Sequence, residues 1–178
     1  MIDGYGRTID YVRISVTDRC NLRCVYCMPE EGVCSISHEE ILRFGEIERV
    51  CQILAENGIQ KIKLTGGEPL VRRRLPELAA ALKQIPGIKS LTITTNGVLL
   101  EEMYDALADA GVDSVTISLD TLDASVYRQL TRRDELEAVR RGLRMAIRRQ
   151  DADQDKLCAG AWDRGAKAFR GGGTGEKP

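Results

Sequence analysis

Three cysteines near the N-terminus have the residue type and the spacing of metal ligands. Cys20, Cys24 and Cys27 form a C-x3-C-x2-C motif directly after a short apolar stretch. Three thiolates are one short of the four that usually hold a 4Fe-4S cluster, so a cluster here would keep one iron without a protein ligand. S-adenosylmethionine, with an amine beside a carboxylate, can chelate such an iron. An electron from the cluster can then break the sulfonium C–S bond and give a carbon radical.

Structural zinc is a second interpretation of the same motif. Closely spaced cysteines also bind zinc, and Cys34 or His38 could supply a fourth ligand. A reduced loop without any metal is a third interpretation. The motif alone does not choose among the three, and His38 taken by itself is better explained as an exposed residue in the first turn of a helix.

The composition suits one domain with a sizeable apolar core. The 178 residues are 43% hydrophobic and 30% charged, and the formal net charge is -1. A balanced charge gives no electrostatic case for nucleic-acid binding. The sequence has no apolar run long enough to span a membrane and no signal peptide at its start, so we expect a cytoplasmic protein without a membrane partner. In that compartment the six cysteines predict thiols or metal ligands rather than disulfides.

Strand and helix patterns alternate along residues 11–147. Runs rich in β-branched residues predict strands at 11–17, 60–65, 88–95 and 112–119. Apolar residues at helical spacing follow each strand, and the first helix is predicted to begin at a capping box formed by Ser37 and Glu40. Such alternation implies a parallel sheet with right-handed crossovers. We therefore predict an α/β fold, a partial (β/α) barrel of about four βα units.

Unusual residues lie at the predicted C-terminal ends of all four strands. They are the cysteine motif, Gly66-Gly67-Glu68, Thr94-Thr95-Asn96 and Ser118-Leu119-Asp120. In parallel (β/α) barrels the active site lies at that end of the strands. Any one of these segments alone could be ordinary turn chemistry, but their shared position predicts one common pocket.

These motifs are similar to those of a known family. The cysteine motif, with Tyr26 before its last cysteine, and Gly66-Gly67-Glu68-Pro69 after the second strand resemble the radical S-adenosylmethionine enzymes. Within them, residues 3–147 resemble the GTP 3',8-cyclases of molybdenum cofactor biosynthesis. The segments that carry this narrower resemblance are Asp3-Gly4-Tyr5-Gly6-Arg7, Arg13 through Cys20, Thr65 through Leu70, and Ser118-Leu119-Asp120. The resemblance favours the cluster over zinc.

The resemblance implies a cofactor site at the strand ends. A site-differentiated 4Fe-4S cluster would be bound by Cys20, Cys24 and Cys27. S-adenosylmethionine would be contacted by Tyr26, Gly67, Glu68 and Ser118. In this arrangement Gly67 would leave room for the methionyl group, and Glu68 would accept a hydrogen bond from the methionyl amine.

The resemblance also implies GTP as the substrate. GTP would be contacted by Arg13, Lys63 and Thr94, because two cations and a hydroxyl suit a triphosphate. Lys63 stands where arginine is common in the family. The positive charge is kept, but the two parallel hydrogen bonds that an arginine guanidinium can donate are lost. The implied enzyme is a radical lyase that needs an electron donor and no catalytic side chain beyond its cofactors. Its radical would take a hydrogen from ribose C3', and C3' would then attack guanine C8.

The last part of the sequence has a different character. Residues 151–156 form a polar run, residues 171–178 are rich in glycine, and no strand or helix periodicity follows Ile147. We therefore predict a radical S-adenosylmethionine partial barrel over residues 1–149 and an unrelated tail over 150–178 that is disordered or read out of frame. The cysteines of the family's second 4Fe-4S cluster are not recognisable, so the chain is expected to be truncated.

Two alternatives to a GTP cyclase stay open at this point. The chain could be a non-catalytic fragment that binds at most a cluster. It could also be another radical S-adenosylmethionine enzyme, such as one that modifies peptides. Iron and sulfide content would test the first alternative, and a comparison of GTP with peptide substrates would test the second.

Overall fold

The structure is a computed structural model that describes residues 2–34, 36–37, 39–152, 158–162 and 169–170. Its α-helices are α1 Phe44–Glu56, α2 Leu75–Lys83, α3 Leu100–Asp109, α4 Ala124–Thr131 and α5 Leu136–Ala152. Its strands are β1 Tyr11–Ser15, β2 Lys61–Thr65, β3 Ser90–Thr95, β4 Ser114–Ser118, β5 Cys158–Trp162 and β6 Phe169–Arg170. Among the described residues, no helix has the length and apolar character needed to cross a membrane.

The strands form one sheet in the order β1-β2-β3-β4-β5-β6. Strands β1 to β5 are parallel to their neighbours, and β6 is antiparallel to β5. Sequential parallel strands joined by helices are the expected result of right-handed βαβ units. The predicted α/β class and the four βα units over residues 11–152 are therefore confirmed.

One face of the sheet packs against the helices. In β2, β3 and β4, alternate residues are buried on this face, including Ile62, Leu64, Ile93 and Ile117. They belong to one core cluster with Leu78, Leu82, Leu100, Tyr104, Leu107 and Val139. The residues between them are polar and lie on the opposite face.

The first helix begins later than the sequence predicted. The predicted capping box gives only an isolated turn, in which the Ser37 hydroxyl donates to Glu40 at 3.1 Å. Helix α1 instead starts at Phe44, where the Glu46 carboxylate accepts the Arg43 amide at 2.6 Å. The prediction was wrong because this segment contains two pairs with the spacing of a capping box, Ser37–Glu40 and Arg43–Glu46. Only the second pair lies next to the apolar face of the helix.

The prediction that no strand follows the last helix is also wrong. Strand β5 pairs in parallel with β4 along its whole length, from Ser114 opposite Cys158 to Ser118 opposite Trp162. The open edge of β4 offers backbone donors and acceptors, so a segment with little β-branched character can still pair there. Residues 153–157, 163–168 and 171–178 of the predicted tail lie outside the described residues. The domain boundary at residue 149 stays a prediction.

Candidate functional site

A cavity of about 440 Å³ lies at the C-terminal ends of strands β1 to β4. It is lined by all ten residues singled out from the sequence, namely Arg13, Cys20, Cys24, Tyr26, Cys27, Lys63, Gly67, Glu68, Thr94 and Ser118. The prediction of one common pocket is confirmed. What each residue binds there stays a prediction, and His38 lies outside the described residues.

Helix α4 holds the cysteine loop in place. The amides of Arg23 and Val25 donate to the carbonyls of Thr131 and Leu130 at 3.0 and 2.9 Å. Arg132, which follows the helix in a left-handed conformation with φ 54°, donates from one guanidinium nitrogen to the carbonyls of Arg23 and Met28 at 3.2 and 3.0 Å. The helix itself is fixed at its start by the Asp123 carboxylate, which accepts the Ser125 and Val126 amides at 2.9 Å each.

The three motif thiols share the cavity but differ in exposure. Cys20 and Cys24 are partly buried, and Cys27 is exposed. Burial raises the pKa of the Cys20 and Cys24 thiols, and the nearby Cys27 and Cys20 raise the pKa of Cys24 further. A thiolate in such a place needs a compensating positive charge, which a bound metal supplies.

Two donors already face the Cys20 sulfur. The Leu22 amide lies 3.4 Å from it, and the Asn96 side-chain amide lies 3.9 Å from it. Asn96 comes from the end of β3 and also donates to the Asn21 side chain at 2.7 Å. Asn96 therefore connects β3 to the cysteine loop. The sequence predicted that Asn96 lies at a strand end beside the pocket, but it did not predict this contact.

Among the described residues, no three Cys, His, Asp or Glu side chains converge closely enough to bind one metal ion.

The paired glycines after β2 are explained by a close approach of two backbones. The Gly67 amide donates to the Thr17 carbonyl at 2.6 Å, and the Glu68 amide donates to the Arg19 carbonyl at 2.7 Å. A Cβ on Gly67 would collide with the Arg19 backbone and lie 2.7 Å from the Asp18 carbonyl oxygen. The space beside Gly67 is therefore filled by the cysteine loop, which differs from the expectation that the missing side chain makes room for a methionyl group.

Glu68 has a task inside the protein that the sequence did not reveal. It is 1% exposed, and its carboxylate accepts the Leu70 amide at 3.0 Å, the Thr95 hydroxyl at 2.6 Å and the Asn96 amide at 2.7 Å. Burial raises the pKa of this carboxyl, and the hydrogen bonds from Asn96, Thr95 and Leu70 act against that rise. Glu68 thus joins the ends of β2 and β3, and the predicted contact with the methionyl amine stays a prediction.

Tyr26 bridges the cysteine loop to the end of β4. Its hydroxyl donates to the Asp120 carboxylate, and burial raises the pKa of the phenol. Asp120 follows the exposed Ser118, and both line the cavity. The bridge places an aromatic ring between Cys24 and Cys27 at the rim, where it could cover an adenine.

Cations lie deeper on the polar face of the sheet. Arg13 of β1 is the register partner of Lys63 of β2, so the two chains leave neighbouring strands side by side. Neither forms a salt bridge within the part of the chain that the structure describes. Thr94 and Thr116 are register partners on β3 and β4 and add two hydroxyls to the same cavity. Two adjacent unpaired cations and nearby hydroxyls can hold a polyanion.

Cys34 and Cys51 lie apart from the cavity. Cys51 is fully buried in α1, and burial raises its pKa to about 11. Cys34 is exposed and does not line the cavity. Neither cysteine therefore joins the three motif cysteines in the cavity.

Comparison with known proteins gives the family. Residues 14–151 match the Radical SAM superfamily. The chain belongs to this superfamily. Superfamily membership assigns it a 4Fe-4S cluster and S-adenosylmethionine as cofactors.

Several curated relatives carry a more specific name. The GTP 3',8-cyclase of Pelotomaculum thermopropionicum is 55% identical over 147 residues, which are 83% of this chain and 45% of that protein. The GTP 3',8-cyclase of Geobacter sulfurreducens is 48% identical over 146 residues, which are 82% of this chain and 45% of that protein. The chain thus spans about half the length of the curated relatives that it matches.

Solved structures agree on the fold. Streptococcus suis SuiB bound to S-adenosylmethionine has a TM-score of 0.63 and 21% identity, covering 84% of this chain and 31% of SuiB. Methylornithine synthase PylB has a TM-score of 0.65 and 20% identity, covering 85% of this chain and 43% of PylB. At such identity the likeness concerns the fold of the radical SAM core.

The residues of the cavity fit the two assigned cofactors. Three thiols share one cavity, and the two that are partly buried need a positive charge beside them. Tyr127 lines the same cavity, and its hydroxyl is buried without a hydrogen-bond partner among the described residues. Because most buried polar atoms have a partner, this hydroxyl is available for a hydrogen bond to a bound group.

Proposed function

We propose that this chain provides the S-adenosylmethionine-binding half of a GTP 3',8-cyclase. The single observation that supports it most is the joint lining of one cavity by three cluster-type cysteines and two adjacent cations, Arg13 and Lys63. The identity of 55% to a GTP 3',8-cyclase over 147 residues supports the same conclusion.

The cofactor residues lie around the upper rim of the cavity. Cys20, Cys24 and Cys27 would bind three irons and leave the fourth without a protein ligand. Tyr26 would cover the adenine, and Ser118 would offer a hydroxyl from the end of β4. When bound and reduced, the cluster and S-adenosylmethionine supply a carbon radical that can take a hydrogen from a substrate C–H bond.

The substrate residues lie on the polar face below that rim. Arg13 and Lys63 carry charges that no described carboxylate neutralises, so they would attract the triphosphate of GTP. Thr94 would add a hydroxyl on the neighbouring β3. A triphosphate anchored there would hold the ribose in the same cavity as the cofactors, and such positioning favours removal of the C3' hydrogen. A neutral or basic peptide would make less use of two adjacent cations.

Reconstituting the chain anaerobically and supplying dithionite, S-adenosylmethionine and GTP tests the proposal. We expect 5'-deoxyadenosine to form, GTP to bind, and Lys63→Ala to weaken GTP binding by roughly 10- to 150-fold, because a charge-assisted contact contributes about 1.5–3 kcal/mol. Cys24→Ala is the matched control and should abolish cleavage while leaving the cations in place. Detection of 3',8-cyclo-7,8-dihydro-GTP would show that the chain completes the reaction by itself.

Other outcomes would overturn the proposal. A cluster that forms without GTP binding would support the non-catalytic fragment. Cleavage of S-adenosylmethionine that depends on a peptide and ignores GTP would support the peptide-modifying alternative. A cytoplasmic location, the electron donor and the absence of nucleic-acid partners stay predictions.

A further inference from the structure

Tyr127 carries a polar atom that the described protein leaves unused. The residue lies on α4 and is 4% exposed, and its hydroxyl oxygen is buried without a hydrogen-bond partner among the described residues. Burying an unpaired hydroxyl is unfavourable, and phenylalanine at the same place would avoid that cost. Most buried polar groups in folded proteins have a partner. The hydroxyl is therefore available to a partner beyond the described residues.

The position of the hydroxyl shows which bound group could be that partner. Tyr127 lines the same cavity as Cys20 and Cys24. Burial raises the pKa of its phenol, and the charges of Cys24, Glu135 and Cys20 raise it further. On the same helix, the carbonyls of Leu130 and Thr131 accept the amides of Val25 and Arg23, so α4 packs directly against the cysteine loop. The side of the cavity that faces α4 is thus the side at which a cluster held by these cysteines would sit.

Thr131 does not satisfy the hydroxyl of Tyr127. Its side chain lowers the pKa of the phenol, but it is not a hydrogen-bond partner of the phenol oxygen. The Thr131 hydroxyl instead contacts the carbonyl of Tyr127 at 2.8 Å and that of Arg133 at 3.0 Å. These two contacts hold the Thr131 hydroxyl on the backbone and leave the phenol oxygen without a partner among the described residues.

We propose that Tyr127 is a positioning residue whose hydroxyl donates a hydrogen bond to a sulfur of the 4Fe-4S cluster on its Cys20–Cys24 side. The inference rests on the cluster assignment within the proposed function and does not depend on GTP. Together with the Leu22 amide and the Asn96 side chain, Tyr127 places three donors around one side of the cluster. The positive end of each donor stabilises the additional electron of the reduced state, so it raises the reduction potential.

A redox titration of the reconstituted full chain, followed by electron paramagnetic resonance, tests this assignment. We expect Tyr127→Phe to lower the ratio of reduced to oxidised cluster about tenfold at a fixed potential, which is a shift of about 59 mV to more negative values for a one-electron couple. Tyr104→Phe is the matched control, because Tyr104 is also fully buried but belongs to α3 and the apolar core. It should leave the potential unchanged.

Pulsed electron–nuclear double resonance in H₂O and D₂O gives a second readout that begins with the unmodified chain. A strongly coupled exchangeable proton that is present in the unmodified chain and in Tyr104→Phe, and absent from Tyr127→Phe, would support the hydrogen bond. Equal potentials and equal proton couplings in all three chains would overturn it while leaving the cluster assignment intact. If the unmodified chain binds no iron, both the cluster assignment and the role of Tyr127 fail.

Discussion

The two faces of the sheet place neighbouring residues of one strand in opposite environments. In β2, Leu64 is fully buried against the helices, whereas the adjacent Lys63 lines the cavity. Parallel strands covered on both faces usually read as continuous apolar runs. Strands β2, β3 and β4 alternate instead, with Ile62, Ile93 and Ile117 on one face and hydroxyls or cations on the other. The difference indicates that one face carries the stability of the fold and the other carries the chemistry.

The largest effect should come from replacing the cysteines that line the cavity. Replacing Cys20, Cys24 or Cys27 singly by alanine removes one of only three protein ligands, so we expect the cluster absorbance after reconstitution to be lost. Cys34→Ala is the control, since Cys34 is exposed and outside the cavity. Retention of the cluster in Cys24→Ala together with its loss in Cys34→Ala would contradict the assignment.

Adjacent residues of β2 test the division between the faces directly. Leu64→Ala should lower the free energy of unfolding by about 3 kcal/mol, because it leaves a cavity in the core. Lys63→Ala should change that free energy by less than about 0.5 kcal/mol and weaken GTP binding instead. Denaturant titrations and GTP binding titrations of both variants give the comparison. Equal losses of stability would show that the two faces are not functionally distinct.

Gly67 lies where the loop after β2 packs closely against the backbone of the cysteine loop. Gly67→Ala should displace the Arg19 backbone, reduce the iron content and cost about 1–3 kcal/mol of stability. Gly45→Ala is a control without any such collision, because no atom lies within 4 Å of its added Cβ. If Gly67→Ala keeps its full cluster and loses only affinity for S-adenosylmethionine, the glycine makes room for the ligand rather than for the loop.

The smallest effect should be the pH dependence that the Glu68 carboxyl contributes to stability. Burial raises the pKa of its carboxyl above the ordinary value of 4.5, so between these two values the folded chain holds a proton that the unfolded chain has lost. This contribution to stability is present below pH 4.5 and is lost as the pH rises through the folded pKa. We expect the slope of stability against pH in that window to become less negative in Glu68→Gln. An unchanged slope would mean that the carboxyl is ionised in the folded chain.

The sequence predicted the site better than it predicted the boundaries of the elements. Cysteine spacing, the paired glycines and the hydroxyls at strand ends are local patterns, and the topology of parallel strands brings them together at one edge. The contacts that hold the site are not local. Asn96 reaches Cys20 and Arg132 reaches Arg23 across large sequence separations, so only the folded chain reveals them.

Two errors have a related cause. The capping box at Ser37 is a valid local signal, but the apolar face of α1 begins only at Phe44, and tertiary packing decides where the helix starts. Strand β5 has the sequence Cys158-Ala-Gly-Ala-Trp162, which lacks β propensity, and it pairs because β4 offers an open edge. Tyr127 shows a further limit of sequence patterns. Helical spacing can predict that a tyrosine is buried, but it does not show whether the buried hydroxyl has a hydrogen-bond partner.

The central claim is that this chain holds a cluster with one iron open to S-adenosylmethionine. The most direct measurement is the electron paramagnetic resonance spectrum of the dithionite-reduced, reconstituted chain, recorded before and after S-adenosylmethionine is added. We predict about four irons per chain and a change of the spectrum when S-adenosylmethionine is added, because its amine and carboxylate would occupy the open iron. A cluster whose spectrum does not change when S-adenosylmethionine is added would contradict the account. A single zinc ion in place of the cluster would also contradict it.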